Sequence, residues 1–238
     1  MKTANQFKSD FLATISHELR TPLSVIIGYV GLLSEEFASD FSNEAKTVLN
    51  RIQRATLEEI ELVSALVNVS RLEAGKIFIE TQEAHIPELI DEIRTEMAST
   101  YEQSGLEFEW VYSTALRPIV TDRLKLKIVL KNLIENAIKF THEGRVTVSV
   151  SPRNDGVELC VTDTGVGISP EVLPHIFDLF HQGDSSTTRR YEGVGLGLYI
   201  VQRMMELLQG TVTVESTESQ GSTFRIWLPQ HPQPLDTV

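Results

Sequence analysis

One histidine stands among neighbours that suit nucleophilic chemistry, in the run Phe11-Leu12-Ala13-Thr14-Ile15-Ser16-His17-Glu18-Leu19-Arg20-Thr21-Pro22-Leu23. An imidazole becomes a nucleophile when its other nitrogen gives a proton to a carboxylate, and Glu18 is adjacent as base and orienter. At about 100° per residue, Thr21 falls one turn beyond His17 on the same side of a helix. The plain alternative is an exposed surface histidine beside a solvated charge. Metal binding at His17 has little support, because no second His or Cys lies within helical reach.

A second set of residues suits a nucleotide. Asn132 and Asn136 are one turn apart, beside an apolar face of Leu126, Leu130, Leu133 and Ala137. Two amide oxygens suit Mg²⁺, a hard cation that shares its shell with waters and phosphates. Lys139 follows Asn136 by one turn and can neutralise phosphate charge. Asp163-Thr164-Gly165-Val166-Gly167 ends a strand-like run over 157–161. Its glycines let backbone approach a ligand, and the Asp163 carboxylate can accept from the amino group of adenine. Gly193-Val194-Gly195-Leu196-Gly197 opens a predicted helix over 196–208, where backbone N–H groups can bind phosphate. The spacing excludes the Gly-x4-Gly-Lys-Ser/Thr loop, and no βαβ unit of a dinucleotide fold flanks it. The long polar stretch 178–192 fits a mobile lid, from which Arg189 or Arg190 could reach a γ-phosphate. Singly, these features also read as polar helix surface, a turn and an exposed loop.

The elements that must position these groups follow from periodicity. Apolar residues at Leu12, Ile15, Leu19, Leu23, Ile26, Val30 and Leu33 step by three and four, a heptad seam. His17 points roughly 160° away from the centre of that seam, so it should face solvent with Thr21 beneath it. Pro22 interrupts this helix and should bend it. Ser42 is the expected N-cap of a second helix, with Ala45 at the capping-box position. That helix carries the seam Ala45, Val48, Ile52, Ala55, Glu59, Leu62, Leu66 and Val69, widened by Ile60, Val63 and Val67, and Gly75 should end it. Two helices cannot bury stripes this wide, which predicts a homodimer built as a four-helix bundle.

Beyond this hairpin the pattern alternates. It predicts a short strand at 77–79, a helix over 87–103 with Ile90, Ile93 and Met97 on one side, and a strand over 106–112. Asp122 is the expected N-cap of a helix to about Phe140. Strands at 145–151 and 156–162 should form a hairpin across Asn154-Asp155-Gly156. Strands at 211–216 and 223–228 close the domain. The fold class is α+β, a layer of helices on a mixed sheet. The domains are residues 1–75, 76–230, and a tail over 231–238.

The chain of 238 residues is 41% hydrophobic and 23% charged, ordinary for a globular protein, with a formal net charge of -12. That charge argues against nucleic-acid binding and means a nucleotide must be held by local donors and a metal. Cys160 is the single cysteine, so an intrachain disulfide is impossible and a reducing compartment is the simple setting. No apolar run reaches membrane-spanning length and the N-terminus does not read as a signal peptide, so the chain reads as soluble, whether whole or the soluble part of something longer.

In these residues the chain resembles the sensor histidine kinases of two-component signalling, over about residues 7–229. Residues 11–23 resemble the family's histidine box, 132–141 its asparagine box, 163–168 and 193–197 its two glycine boxes, 176–180 its phenylalanine box, and Gly221-Ser222-Thr223-Phe224 the turn before its last strand. The resemblance implies a homodimeric helical hairpin followed by the two-layer α/β ATPase sandwich shared with gyrase- and mismatch-repair-type ATPases. It implies that His17 is the phosphoacceptor, Glu18 the base, and Thr21 the residue that places water for dephosphorylating a partner. It further implies that Asn136 binds Mg²⁺ with support from Asn132, that Lys139 touches phosphate, that Phe140 lines the base pocket and that Asp163 binds adenine. Gly165, Gly167, Gly193, Gly195 and Gly197 would shape pocket and lid. Two departures stand out: Glu192 replaces a common Gly, and Val194 replaces a common Thr or Ser, which bears on rate.

The expectation is therefore ATP-dependent phosphorylation of His17, then transfer to an aspartate on a response-regulator receiver domain, in the cytoplasm or on the cytoplasmic part of a membrane-anchored sensor. No sensor domain and no receiver domain are expected within this chain. Two rivals stand beside it: an ATPase of the same superfamily that forms no phosphohistidine, and a nucleotide-binding dimer that only docks partners.

Overall fold

The structure is a computed structural model that describes residues 2–37, 41–73, 77–113, 116–179 and 195–233, with the side chains of 2–15, 17, 36, 58, 61, 65 and 73 outside the description. Two compact units emerge, Met1–Ile77 and Phe78–Val238.

The first unit is a pair of packed helices, α1 (Lys2–Glu36) and α2 (Asn43–Glu73). Helix α1 runs on through Pro22. A proline removes one main-chain donor from a helix, and here long helical segments flank the lost bond on both sides. Ser42 caps α2 as expected, its Oγ accepting from the Ala45 N–H at 3.2 Å. Gly75, the expected terminator, lies outside the described residues.

The seam divides between two faces. The buried residues of this unit include Ser16 and Val30 on α1, and Thr56, Val63, Val67, Val69, Ser70 and Leu72 on α2. Leu19, Ile26 and Leu33 stay 45%, 41% and 38% exposed, as do Val48 and Ile52 on α2 at 53% and 41%. Helical phase explains the division: residues seven apart return to nearly one direction, so these three α1 residues share a stripe that α2 does not reach.

The second unit is a five-stranded mixed sheet with helices on one face. Its strands are β2 (Glu107–Tyr112), β4 (Arg145–Pro152), β5 (Gly156–Asp163), β6 (Thr211–Thr217) and β7 (Gly221–Pro229), in the order β2-β4-β5-β7-β6. Only the β2–β4 pairing is parallel. Alternation sends Val146, Val148, Val150, Val157, Leu159, Val161, Phe224, Ile226 and Leu228 into the core, and turns Thr147, Ser149, Glu158, Cys160 and Arg225 the other way. The covering helices are α3 (Ile86–Glu96), α5 (Arg123–Phe140) and α6 (Gly197–Leu207), which bury Leu89, Ile90 and Ile93, then Leu126, Val129, Leu130, Leu133 and Ile134, then Ile200, Val201, Met204 and Met205.

Two expectations are corrected. Residues 77–79 form no strand, and Phe78 is 83% exposed. The strand here is β1 (Gln82–Ala84), paired with β3 (Ile119–Thr121), because Ala84 opposite Ile119 is the pair that buries. A lone run of three apolar residues carries no period to fix its partner. The helix expected over 87–103 is two helices, α3 and α4 (Ala98–Ser104), parted at Met97, which leaves the helical region at ψ 4° and packs inward. The hairpin over Asn154 is as expected, with Asn154 at φ 53° in its turn.

Candidate functional site

Helix α5 carries the first part of the site. Asp122 starts it, accepting from Leu124 N and Lys125 N, both at 3.1 Å, and from Glu80 N at 2.9 Å. Burial pushes the Asp122 carboxyl up, but the Glu80 and Lys125 N–H groups and the Lys125 ammonium outweigh it and hold the carboxyl below its ordinary range. The helix is thereby fixed at its start, and its buried stripe fixes its rotation. Asn132, Asn136, Lys139 and Phe140 then lie half-buried along the edge of that stripe.

Asn132 donates its Nδ2 to the Ile128 carbonyl at 2.8 Å, which leaves its Oδ1 turned away from its own helix. A Cβ on Gly197 would stand 3.0 Å from that Oδ1 and 3.9 Å from Asn136 Nδ2. The two asparagines therefore meet the first residue of α6, where main-chain N–H groups have no partner within the helix. Gly195, just before, takes φ 70°, a left-handed conformation open to glycine. Lys139 Nζ lies 5.3 Å from the Phe140 ring centroid, a cation–π distance.

The third part is the end of β5. Asp163 is buried, and its Oδ1 accepts from Gly165 N at 2.9 Å and Ser222 N at 3.3 Å. Burial pushes the Asp163 carboxyl up, and the two N–H donors offset only part of that. Oδ2 carries no bond among the described residues, so it remains an acceptor. The turn after it is stitched to α5, since Val166 N donates to the Phe140 carbonyl at 3.0 Å. Gly165 passes so close to Phe140 O that a side chain there would collide with it.

The structure thus brings Asn132, Asn136, Gly197, Asp163, Gly165 and Gly167 into the second unit, between α5, the start of α6 and the β5 end. Gly193, Arg189, Arg190, Glu192 and Val194 lie outside the described residues, as does all but 178–179 of the stretch 178–192 expected as a lid. His17 belongs to α1 in the first unit, with its side chain outside the description. Glu18 and Thr21 are exposed on α1, and Thr21 shares a shallow surface depression with Arg20, Ser24 and Val25. Two polar groups escaped sequence reasoning. The Ser222 N–H on Asp163 comes from cross-strand register, which sequence does not display. Thr141 Oγ1 is buried with no hydrogen-bond partner among the described residues and would lie 2.8 Å from a Cβ on Gly165.

Two family profiles match this chain: the His Kinase A (phospho-acceptor) domain over residues 7–75, and the histidine kinase-, DNA gyrase B-, and HSP90-like ATPase over residues 121–232. The chain belongs to the histidine kinase family. The chain is 34% identical over 227 residues to the signal transduction histidine-protein kinase BarA of Escherichia coli K12, covering 93% of this chain and 24% of that protein. It is 36% identical over 239 residues to hybrid signal transduction histidine kinase A of Dictyostelium discoideum, covering 95% of this chain and 11% of the relative. The chain thus spans a quarter or less of the length of these relatives. Among solved structures, full-length ShkA in complex with AMPPNP superposes with a TM-score of 0.74 at 30% identity, covering 95% of this chain and 47% of that chain. Among the described residues, no helix is long and apolar enough to cross a membrane.

Proposed function

We propose that the chain binds ATP in the second unit and transfers its γ-phosphoryl group to His17, and that the phosphoryl group then passes to an aspartate of a response-regulator receiver domain. The observation that carries this reading is the meeting of Asn132 Oδ1 with the start of α6, together with the buried Asp163 carboxyl at the end of β5. Similarity to ShkA, described in complex with AMPPNP, supports the nucleotide.

In this reading Asp163 Oδ2 accepts from the adenine amino group, and Phe140 lines the base. Lys139 and the N–H groups at Gly195 and Gly197 take phosphate oxygens, joined by Gly193 and Arg189 from the 180–194 segment. Asn136 and Asn132 offer neutral amide oxygens, a donor set that fits Mg²⁺ shared with phosphates. Among the described residues no cluster of three or more His, Cys, Asp or Glu competes as a metal site. A bound Mg²⁺ would neutralise charge between the β- and γ-phosphate oxygens. A His17 ring nitrogen forms the new bond to the γ-phosphorus as the bond to the β–γ bridging oxygen breaks. ADP leaves with that electron pair, and Glu18 orients the ring and takes its proton. Thr21, on the same side of α1, would place the water that hydrolyses the phosphorylated regulator.

The uncovered stripe of Leu19, Ile26, Leu33, Val48 and Ile52 supports a second copy of this chain as partner, completing a four-helix bundle. A cytoplasmic setting fits the need for ATP and the free Cys160.

Incubation with γ-labelled ATP and Mg²⁺ tests the reading. Label that resists base, is lost in acid and is absent from His17→Ala is the expected result. Phosphate release without labelled protein would replace the kinase with a simple ATPase, and nucleotide binding with neither would leave a docking module.

A further inference from the structure

Ser216 lies at the end of β6, outside every motif singled out above. Its Oγ meets three groups: Ile168 N–H donates to it at 2.8 Å, it reaches the Gly221 carbonyl at 3.0 Å, and Ser222 Oγ lies at 2.9 Å. A hydroxyl offers one donor and two acceptor sites. Donation to Gly221 O, with acceptance from Ile168 N–H and the Ser222 hydroxyl, fills all three.

These bonds connect two parts of the site. In the sheet register Ser216 pairs with Ser222, and Ser222 pairs with Asp163, so the three residues form one row across β6, β7 and β5. Ser222 N–H then donates to Asp163 Oδ1. Ile168 ends the turn that starts at Asp163. A second tie runs alongside, Ser219 N–H to Val166 O at 2.7 Å, and Gly167 at φ 67° packs its backbone on Thr217. The Asp163 turn is therefore held on one side by α5, through Phe140, and on the other by the β6–β7 hairpin, where the Ser216 side chain, like that of Asp163 itself, bonds to both the turn and Ser222.

We propose that Ser216 is a positioning residue for base selection: it fixes the 165–168 turn and Ser222 so that Asp163 presents Oδ2 to a 6-amino purine and disfavours a 6-oxo purine. The inference rests on the nucleotide reading above and adds to it the source of selectivity. A bonded carboxylate oxygen leaves its partner oxygen with one direction, and a 6-oxo group brings a second acceptor to that place, which an ionised carboxylate repels.

The test is calorimetric titration of the whole chain with Mg-ATP and, separately, Mg-inosine triphosphate. Wild type should prefer ATP. Ser216→Ala should lose about ten-fold in ATP affinity while inosine triphosphate changes by less than about two-fold, so the preference shrinks. In turnover with saturating ATP, kcat should stay near wild type while KM rises. Ser216→Thr, which keeps the hydroxyl on a strand-compatible residue, should restore the preference. Should the alanine variant not fold, Ser216→Cys, with its weaker donor, should show a smaller change of the same sign. Equal weakening of both nucleotides would make the hydroxyl a folding group only, and unchanged titrations would remove its role; either overturns the proposal, as does failure of Ser216→Thr to recover selectivity. A wild-type chain that binds both nucleotides equally would instead defeat the adenine assignment of Asp163, and this inference with it.

Discussion

Asn132 and Gly197 are in contact across two helices: Asn132 Oδ1 lies 3.0 Å from the place a Cβ on Gly197 would occupy. An amide oxygen borders that space, so a side chain at position 197 makes Asn132 give by a few tenths of an ångström. Gly197→Ala should push Asn132 aside without harming α6, since alanine favours a helix by about 0.5–1 kcal/mol over glycine. We expect an unliganded melting temperature at or above wild type, and nucleotide affinity lowered by about ten-fold. Wild-type affinity in this variant would show that Asn132 and the start of α6 do not share a ligand.

Asp163 should make both stability and binding depend on pH. Burial raises its folded-state pKa above the unfolded value, so the folded chain holds the proton more tightly. Its contribution to stability is then greatest in acid. It declines as pH rises from the ordinary carboxylate value through the raised one, and is level above that. Asp163→Asn removes this dependence, so the difference in stability between wild type and variant should slope across that window. ATP affinity of the wild type should rise over the same window, because the amino group needs an ionised acceptor. Parallel stability curves for the two proteins would count against the assignment.

The opposite sign applies to Asp122. Its folded pKa is lowered, so its contribution is complete above the unfolded value and lost as pH falls through the folded one. Asp122→Ala strips the cap from α5 and the partner from Glu80 N–H. Loss of an N-cap of this kind costs about 1–2 kcal/mol, which a shift in the urea midpoint would report. An unchanged midpoint would mean that water replaces the carboxylate at no cost.

Ile26 lies in the uncovered stripe of α1 at 41% exposure, between Leu19 and Leu33 on one helical face. Lysine there is tolerated by a lone hairpin but not by an apolar seam between two copies. Ile26→Lys should keep its helical circular dichroism and sediment at half the mass of the wild type. A variant that stays dimeric would move the interface to another face.

Much of this architecture was legible from local rules. Ser42 and Asp122 have the side chains that cap helices, and both do so. Asn154-Asp155-Gly156 supplies the left-handed residue its hairpin needs. The alternation in β4 and β5 is strong enough to set which face is buried. Where runs were short, local rules failed. Residues 77–79 are as apolar as a strand but have nothing to pair with, while Gln82–Ala84 pairs because Ile119 lies opposite. Met97 breaks a helix whose propensity favoured continuing, because its side chain is drawn into the core.

What the sequence alone determined is the inventory: the residue types, their order, the helical phase that sets Thr21 below His17, and the caps and turns that depend on neighbours within a few positions. Tertiary structure decided the partnerships. That Ser222 donates to Asp163, that Ser216 joins Ser222 to Ile168, and that Asn132 abuts Gly197 are consequences of strand register and helix packing. Those arise from burying apolar faces contributed by segments tens of residues apart. Such a face specifies only that it must be covered, and what covers it is settled when the whole chain closes around its core.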